Sequence, residues 1–186
     1  GLTDFRTDAR AATWAIGYDF PAYEEGLVKR LTVPDVNPSM MQAFVFNLRK
    51  EKFQDPRVRE ALSLTFDFPW LNTNIFYDTY RRTESFFQNS EMEATGLPSE
   101  EELALLEPFR DELIASHGSD RLFTEPLPID QPTDLRERLR KALDLLREAG
   151  YRVEDGVLVN QQTGRPLSLE VLLYDSGLER VVQPML

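Results

Sequence analysis

Residues 53–68, FQDPRVREALSLTFDF, constrain the fold more than any other stretch. Asp55 supplies a helix N-cap and Pro56 fits the first helical position, where its missing N–H costs nothing. Val58, Ala61, Leu62, Thr65 and Phe66 then recur at helical spacing and define one buried face. Arg57 and Arg59 sit in the first turn and a half. The helix dipole is positive there and favours acids, so these two cations need partners outside the helix.

The segment before this helix, MQAFVFNLR over 41–49, is β-branched and aromatic, and reads as a buried strand interrupted at Asn47. The segment after it, 69–80, reads as a second helix. Upstream, a helix is expected from about Asp8 through the Ala-rich run to Trp14. A loop follows over 17–26, and LVKRLTV (27–33) alternates like a strand. Residues 81–99 have no clean period and form a long ordered loop, a class of segment that often carries function. Ser99 with Glu102 makes a capping box for the helix EEELALLEPFRDEL. Residues 123–134 hold three prolines and form a connection.

The helix over 134–150 is the clearest. Asp134 and Glu137 fit a capping box, and Leu135, Leu139, Ala142, Leu143 and Leu146 form its stripe. Gly150 fits a left-handed C-cap. Short strands follow over 151–174, with turns at Asp155-Gly156 and near Gly164 and an alternation of Leu167, Leu169, Val171 and Leu173. A final helix of about two turns at 177–186 is marginal by itself, so the chain is expected to be a piece of something longer.

Composition narrows the chemistry. The net charge of −11 over 186 residues disfavours nucleic acid and acidic membrane surfaces. No apolar run approaches the roughly 18 residues of a membrane span. With no cysteine, disulfides, thiolate catalysis and cysteine-rich zinc sites are absent. His117 is the single histidine and reads as a solvent-exposed loop residue, with no second histidine for a metal pair or a serine-based triad. No phosphate loop is present, and neither a cofactor nor a metal is expected. Glu91 and Glu93 are the best candidates for a carboxylate pair, although a solvated loop explains them as well. Arg81-Arg82 beside Phe86-Phe87 admits two readings. They form a cationic and aromatic cleft wall suited to peptide backbone or carboxylate groups, or the phenylalanines are core and the arginines surface.

The run FVFNLRKEKFQDPRVREALSLTFDF resembles the peptide/nickel class of extracellular solute-binding proteins, family 5, the periplasmic receptors of ABC importers. LRKALDLLREAGY, GRPLSLEVLLY and ERVVQPML follow in that family's order. DFRTDARAATWAIGYDFPA, FYDTYRRTESFFQNSEMEATGLPS and LALLEPFRDEL resemble the branch associated with oligopeptide and microcin C uptake in Gram-negative bacteria. The resemblance implies an α/β, periplasmic-binding-protein-like fold, with lobe II of a two-lobed protein and a tail of lobe I. Residues 1–42 would end lobe I, 43–48 would be the hinge strand, and 49–186 would be an incomplete lobe II. It implies a non-enzymatic periplasmic protein that binds oligopeptides between its lobes and hands them to inner-membrane permease subunits. Arg57 and Arg59 then pair with nearby carboxylates, Asp67 being one candidate. The expected ligand-binding residues are Phe44, Val45 and Asn47 of the hinge strand, with Arg81, Arg82, Phe86 and Phe87 of the long loop. Two other classes remain: a glycan hydrolase using Glu91 and Glu93, and an interaction module without a small ligand.

Overall fold

The structure is a computed structural model that describes residues 3–8, 10–34, 36–126 and 134–185. Its helices are α1 (Ala11–Ile16), α2 (Pro21–Glu24), α3 (Pro56–Leu64), α4 (Phe68–Asn74), α5 (Glu100–Leu106), α6 (Arg110–His117), α7 (Arg121–Thr124), α8 (Leu135–Glu148) and α9 (Glu179–Val182). Its strands are β1 (Tyr151–Glu154) and β2 (Val157–Asn160). The chain divides into two units, 1–37 with 67–82 and 173–186, and 38–66 with 83–172. Among the described residues, no helix is long and apolar enough to cross a membrane.

The second unit is built on α3 packed against α8. Asp55 caps α3, accepting the Arg57 N–H at 2.8 Å, and Pro56 occupies the first helical position. Ala61 on α3 and Ala142 on α8 are fully buried. Small side chains at a helix contact let the two axes approach closely. Around them lie Phe53, Val58, Leu64, Leu146 and Tyr151, with Phe46, Leu62, Leu145, Leu158 and Leu167 packed alongside. Glu60 of α3 accepts from Arg121 of α7 (3.2 Å) and Lys141 of α8 (3.0 Å), tying three helices together.

The arginines at the start of α3 have local partners. Arg57 grips the Asp55 carboxylate through Nε and Nη2 (2.6 Å at the shortest) and donates Nη1 to the Glu148 carbonyl at 3.0 Å. Arg59 donates Nη1 to the carbonyls of Phe53 and Gln54, both at 2.8 Å. Asp67, the expected partner, belongs to the first unit, where it caps α4 by accepting the Trp70 N–H. The capping carboxylate thus offsets the unfavourable placement of cations in the first turn.

Helix α8 ends as expected, with Gly150 at φ +86°. Asp134 accepts the Glu137 N–H at 2.9 Å. Its buried face keeps Ala142 and Leu146 of the expected stripe and leaves out Leu135, Leu139 and Leu143. Arg138, Ala142 and Leu146 are buried, four residues apart, while Leu135, Leu139 and Leu143 are 37% to 41% exposed. Two apolar stripes lie side by side on this helix, and contact with α3 selects the second. The hairpin β1–β2 forms as expected, pairing Tyr151 with Asn160 through Glu154 with Val157 around Asp155 (φ +50°) and Gly156 (φ +81°).

Other expected strands are absent. Neither 27–33 nor 41–49 belongs to a strand among the described residues, and Met41, Phe44 and Val45 are exposed. Residues 167–173 contribute only the Leu167 N–H to the Leu158 carbonyl (2.7 Å), next to a bridge between Val159 and Pro166. A strand is stabilised by its neighbour's hydrogen bonds, so strand-like residues without an adjacent partner stay irregular.

Several helices are shorter than expected. The first runs over 11–16, and the expected loop at 17–26 contains α2. The helix of 69–80 stops at Asn74, because the Asn72 side chain and carbonyl bond the returning chain at Tyr80 and Asp78. Pro108 divides the helix after Ser99 into α5 and α6, although the capping box forms in full. Most of the connection expected at 123–134 lies outside the described residues.

Candidate ligand-binding surface

In the second unit the segment over 38–48 belongs to no helix or strand and is largely exposed. Phe44 stacks edge-on against Phe66, with ring centres 6.0 Å apart, while Phe46 turns inward onto Phe53. Val45, between them, is 91% exposed. Asn47 ends the segment: its Oδ1 accepts the Arg49 N–H and Nε, and its carbonyl accepts the Lys50 N–H. Val45, Phe46, Asn47, Leu48 and Arg49 line a shallow, open concavity. Residues after the turn fasten the other side. Lys50 pairs with Glu170 at 3.2 Å, and Lys52 donates to the Ser168 carbonyl.

The long loop meets this segment where Ser39 donates its N–H to the Gln88 carbonyl at 2.9 Å. Within the loop the polar side chains turn inward. Gln88 is buried and accepts the Glu84 N–H at 2.9 Å, and buried Ser85 accepts the Phe87 N–H at 3.1 Å. Those bonds satisfy the loop's own backbone. They leave Phe86 77% and Phe87 51% exposed, which overturns the reading that both rings fill the core. Arg81 and Arg82 are exposed and belong to the first unit, whereas Phe86 and Phe87 belong to the second. Phe44, Val45, Asn47, Phe86 and Phe87 therefore share one unit, with the Ser39–Gln88 bond joining their segments.

The alternative catalytic residues have local roles. Glu93 accepts the Asn89 N–H at 2.8 Å and stabilises that residue's left-handed turn (φ +65°). His117 is exposed at the last position of α6, before Gly118. Among the described residues, no group of three or more His, Asp or Glu side chains could hold a metal ion.

The first unit contains a constellation that the sequence reading missed. Trp14, Tyr18 and Tyr23 surround the Arg30 guanidinium, whose centre lies 5.2 to 5.3 Å from each ring. Arg30 Nε donates to the Tyr23 hydroxyl at 3.0 Å and Nη1 to the Trp14 carbonyl at 2.5 Å. Trp14 and Tyr18 meet edge-on, as do Tyr18 and Tyr23. The i, i+4 spacing of Trp14 and Tyr18 was the available signal, but residues 27–33 read as a strand hid the arginine's role.

The chain is 41% identical over 186 residues to a protein of Agrobacterium fabrum named probable peptide-binding protein YejA, covering 99% of this chain and 30% of the relative. It is 40% identical to the uncharacterized protein y4wM of Sinorhizobium fredii, covering 99% of this chain and 28% of that protein. It is 37% identical to a protein of Agrobacterium fabrum named peptidoglycan-binding protein YepA, covering 90% and 27%. The chain thus spans about 30% of the length of the relatives it matches. The family model described as "Bacterial extracellular solute-binding proteins, family 5 Middle" matches residues 3–183. Since that match takes in the whole of α1 through α9, the chain belongs to the family 5 bacterial extracellular solute-binding proteins.

Proposed function

We propose that the protein in its full natural length is the periplasmic binding component of an ABC importer. It takes oligopeptides, microcin C-like peptides among them, between two lobes, and delivers them to the permease subunits without covalent chemistry. The observation that carries this reading is the 41% identity, across 99% of the chain, to a relative named as a probable peptide-binding protein. In this reading residues 1–42 complete lobe I, 43–48 form the hinge strand and 49–186 contribute to lobe II.

The segment over 38–48 belongs to no strand, so its main-chain groups are not committed to a sheet and suit hydrogen bonds that any peptide can meet, which gives tolerance of side-chain sequence. Phe44, Val45 and Asn47 are the first assigned contacts. Phe86 and Phe87 supply apolar faces, and Arg81 and Arg82 supply cations for ligand carboxylates. Ligand contacts that differ between open and closed states drive closure.

A second reading draws on the relative named for peptidoglycan binding. Peptidoglycan fragments carry a peptide on a sugar, so the same contacts could serve a muropeptide.

Native mass spectrometry of the full-length natural protein, purified from its own periplasm without denaturation, tests both. A heterogeneous added mass that fragments into peptides supports the first reading, and one that releases amino sugars supports the second. An apo mass, with no thermal shift from a peptide pool or from muropeptides, overturns both.

A further inference from the structure

We infer that Arg30, in its aromatic box, is a binding site for a single carboxylate, the free α-carboxylate of a peptide ligand. Only the identity of the carboxylate's owner rests on the peptide-receptor reading. The box itself stands on geometry. Three rings and two hydrogen bonds fix the guanidinium in place, yet the residue is exposed.

The donor inventory leaves something over. A guanidinium carries five N–H donors and no acceptor. Arg30 directs one to the Tyr23 hydroxyl and one to the Trp14 carbonyl. Among the described residues it has no carboxylate partner, although the chain carries 32 acidic side chains. Arg57, Arg110, Arg121 and Arg147 each hold an Asp or Glu, while Arg49, Arg59 and Arg152 serve amide or carbonyl oxygens; what sets Arg30 apart is the three rings around its guanidinium.

Exposed ion pairs are usually weak because two long side chains must be ordered to make them. Here the rings and the two hydrogen bonds have already ordered the arginine, so an incoming carboxylate meets a fixed fork. The rings also exclude water from part of the guanidinium surface, which strengthens its interaction with an anion. The chain's net charge of −11 repels polyanions, so one carboxylate is favoured over a phosphate chain or nucleic acid.

The test follows the Arg30 guanidinium by nitrogen-15 NMR in the full-length natural protein, with Arg30→Lys identifying its signals. N-acetylglycine and its uncharged amide are titrated at constant ionic strength. A saturable shift with the acid alone is expected, reaching its midpoint at millimolar concentration, on the order of the 1 mM that corresponds to a few kcal/mol. Tyr23→Phe keeps the charge but frees Nε, and should weaken the acid several-fold. No shift up to about 50 mM acid, well past that affinity range, or the same shift with the amide, overturns the site. The outcome separates from that of the receptor reading. Peptides captured with equal affinity as acids and as amides would sink the Arg30 site and leave the receptor. A carboxylate-specific shift in a protein that captures no peptide would keep the site and sink the receptor.

Discussion

Arg57 holds the cap of its own helix: Nη2 lies 2.6 Å from Asp55 Oδ2, while Nη1 reaches the Glu148 carbonyl at the end of α8. One side chain thereby joins the start of α3 to the end of α8. It also alters how the protein responds to acid. The Arg57 hydrogen bonds are the largest influence on the Asp55 carboxyl and hold it below its ordinary value of 3.8, although burial pushes the other way. A carboxylate whose folded value is depressed stabilises the fold above its unfolded value, and that stability is lost as pH falls through the folded value. Asp55→Asn keeps a capping side chain but removes the charge. It should cost about 1 kcal/mol at neutral pH, since both partners are partly exposed. Urea unfolding should show that difference shrinking as pH falls below about 4; a difference unchanged at pH 2.5 to 3, near the acid limit, would separate the cap from the pair.

Leu146 and Leu139 lie on different stripes of α8. Leu146→Ala opens the core against α3 and should cost about 2 to 4 kcal/mol. Leu139→Ala, at an exposed position, should cost less than about 1 kcal/mol. Equal losses in urea denaturation would return both leucines to a common buried face.

Glu60 is the shared acceptor of Arg121 and Lys141. Glu60→Gln should lower stability by about 1 kcal/mol at low salt, because the three side chains are only partly buried. Thermal unfolding in rising sodium chloride should bring the variant and the parent together as the charges are screened. A loss that persists in molar salt would assign the effect to packing.

Gly150 has no atom within 4 Å of the position a Cβ would take, so substitution there meets conformation and not crowding. Gly150→Ala should cost about 1 kcal/mol from its φ of +86° alone. A Tm equal to that of the parent would mean that the end of α8 relaxes without loss.

Phe86 is exposed, so Phe86→Ser should change unfolding stability by less than about 0.5 kcal/mol. In the full-length natural protein, the same change and Arg82→Ala should each weaken peptide binding in calorimetric titration. Unchanged affinity would remove the long loop from the ligand surface.

Legibility in the sequence followed the range of the interaction. Asp55-Pro56, the Ser99 to Glu102 capping box, the Asp155-Gly156 turn and Gly150 were each readable, because each depends on residues within a few positions of one another. The inward face of α8 was readable only in part: Ala142 and Leu146 were expected inside, but Leu139 and Leu146 carry the same side chain and differ only in what lies opposite. The polarity of the 83–93 loop was also hidden. Ser85 and Gln88 go inside because the turn's own N–H groups need acceptors, and the phenylalanines are left facing out. Of the proposed contacts, the exposure of Phe44, Val45, Asn47, Phe86 and Phe87 came from tertiary structure, and the Arg30 box was missed entirely.

The sequence by itself determined the starts of α3, α5 and α8, the glycine end of α8, the Asp155-Gly156 turn and the family to which the chain belongs. Caps, prolines and turn residues act through short-range backbone chemistry that any context preserves. Tertiary structure alone decided which part of the expected stripe of α8 is buried, that Arg57 and Arg59 serve carbonyls and a cap, and that Arg30 stands among three rings. Those outcomes depend on which surfaces meet across tens of residues, and hydrophobic contact, being non-directional, does not record its partner in the local pattern.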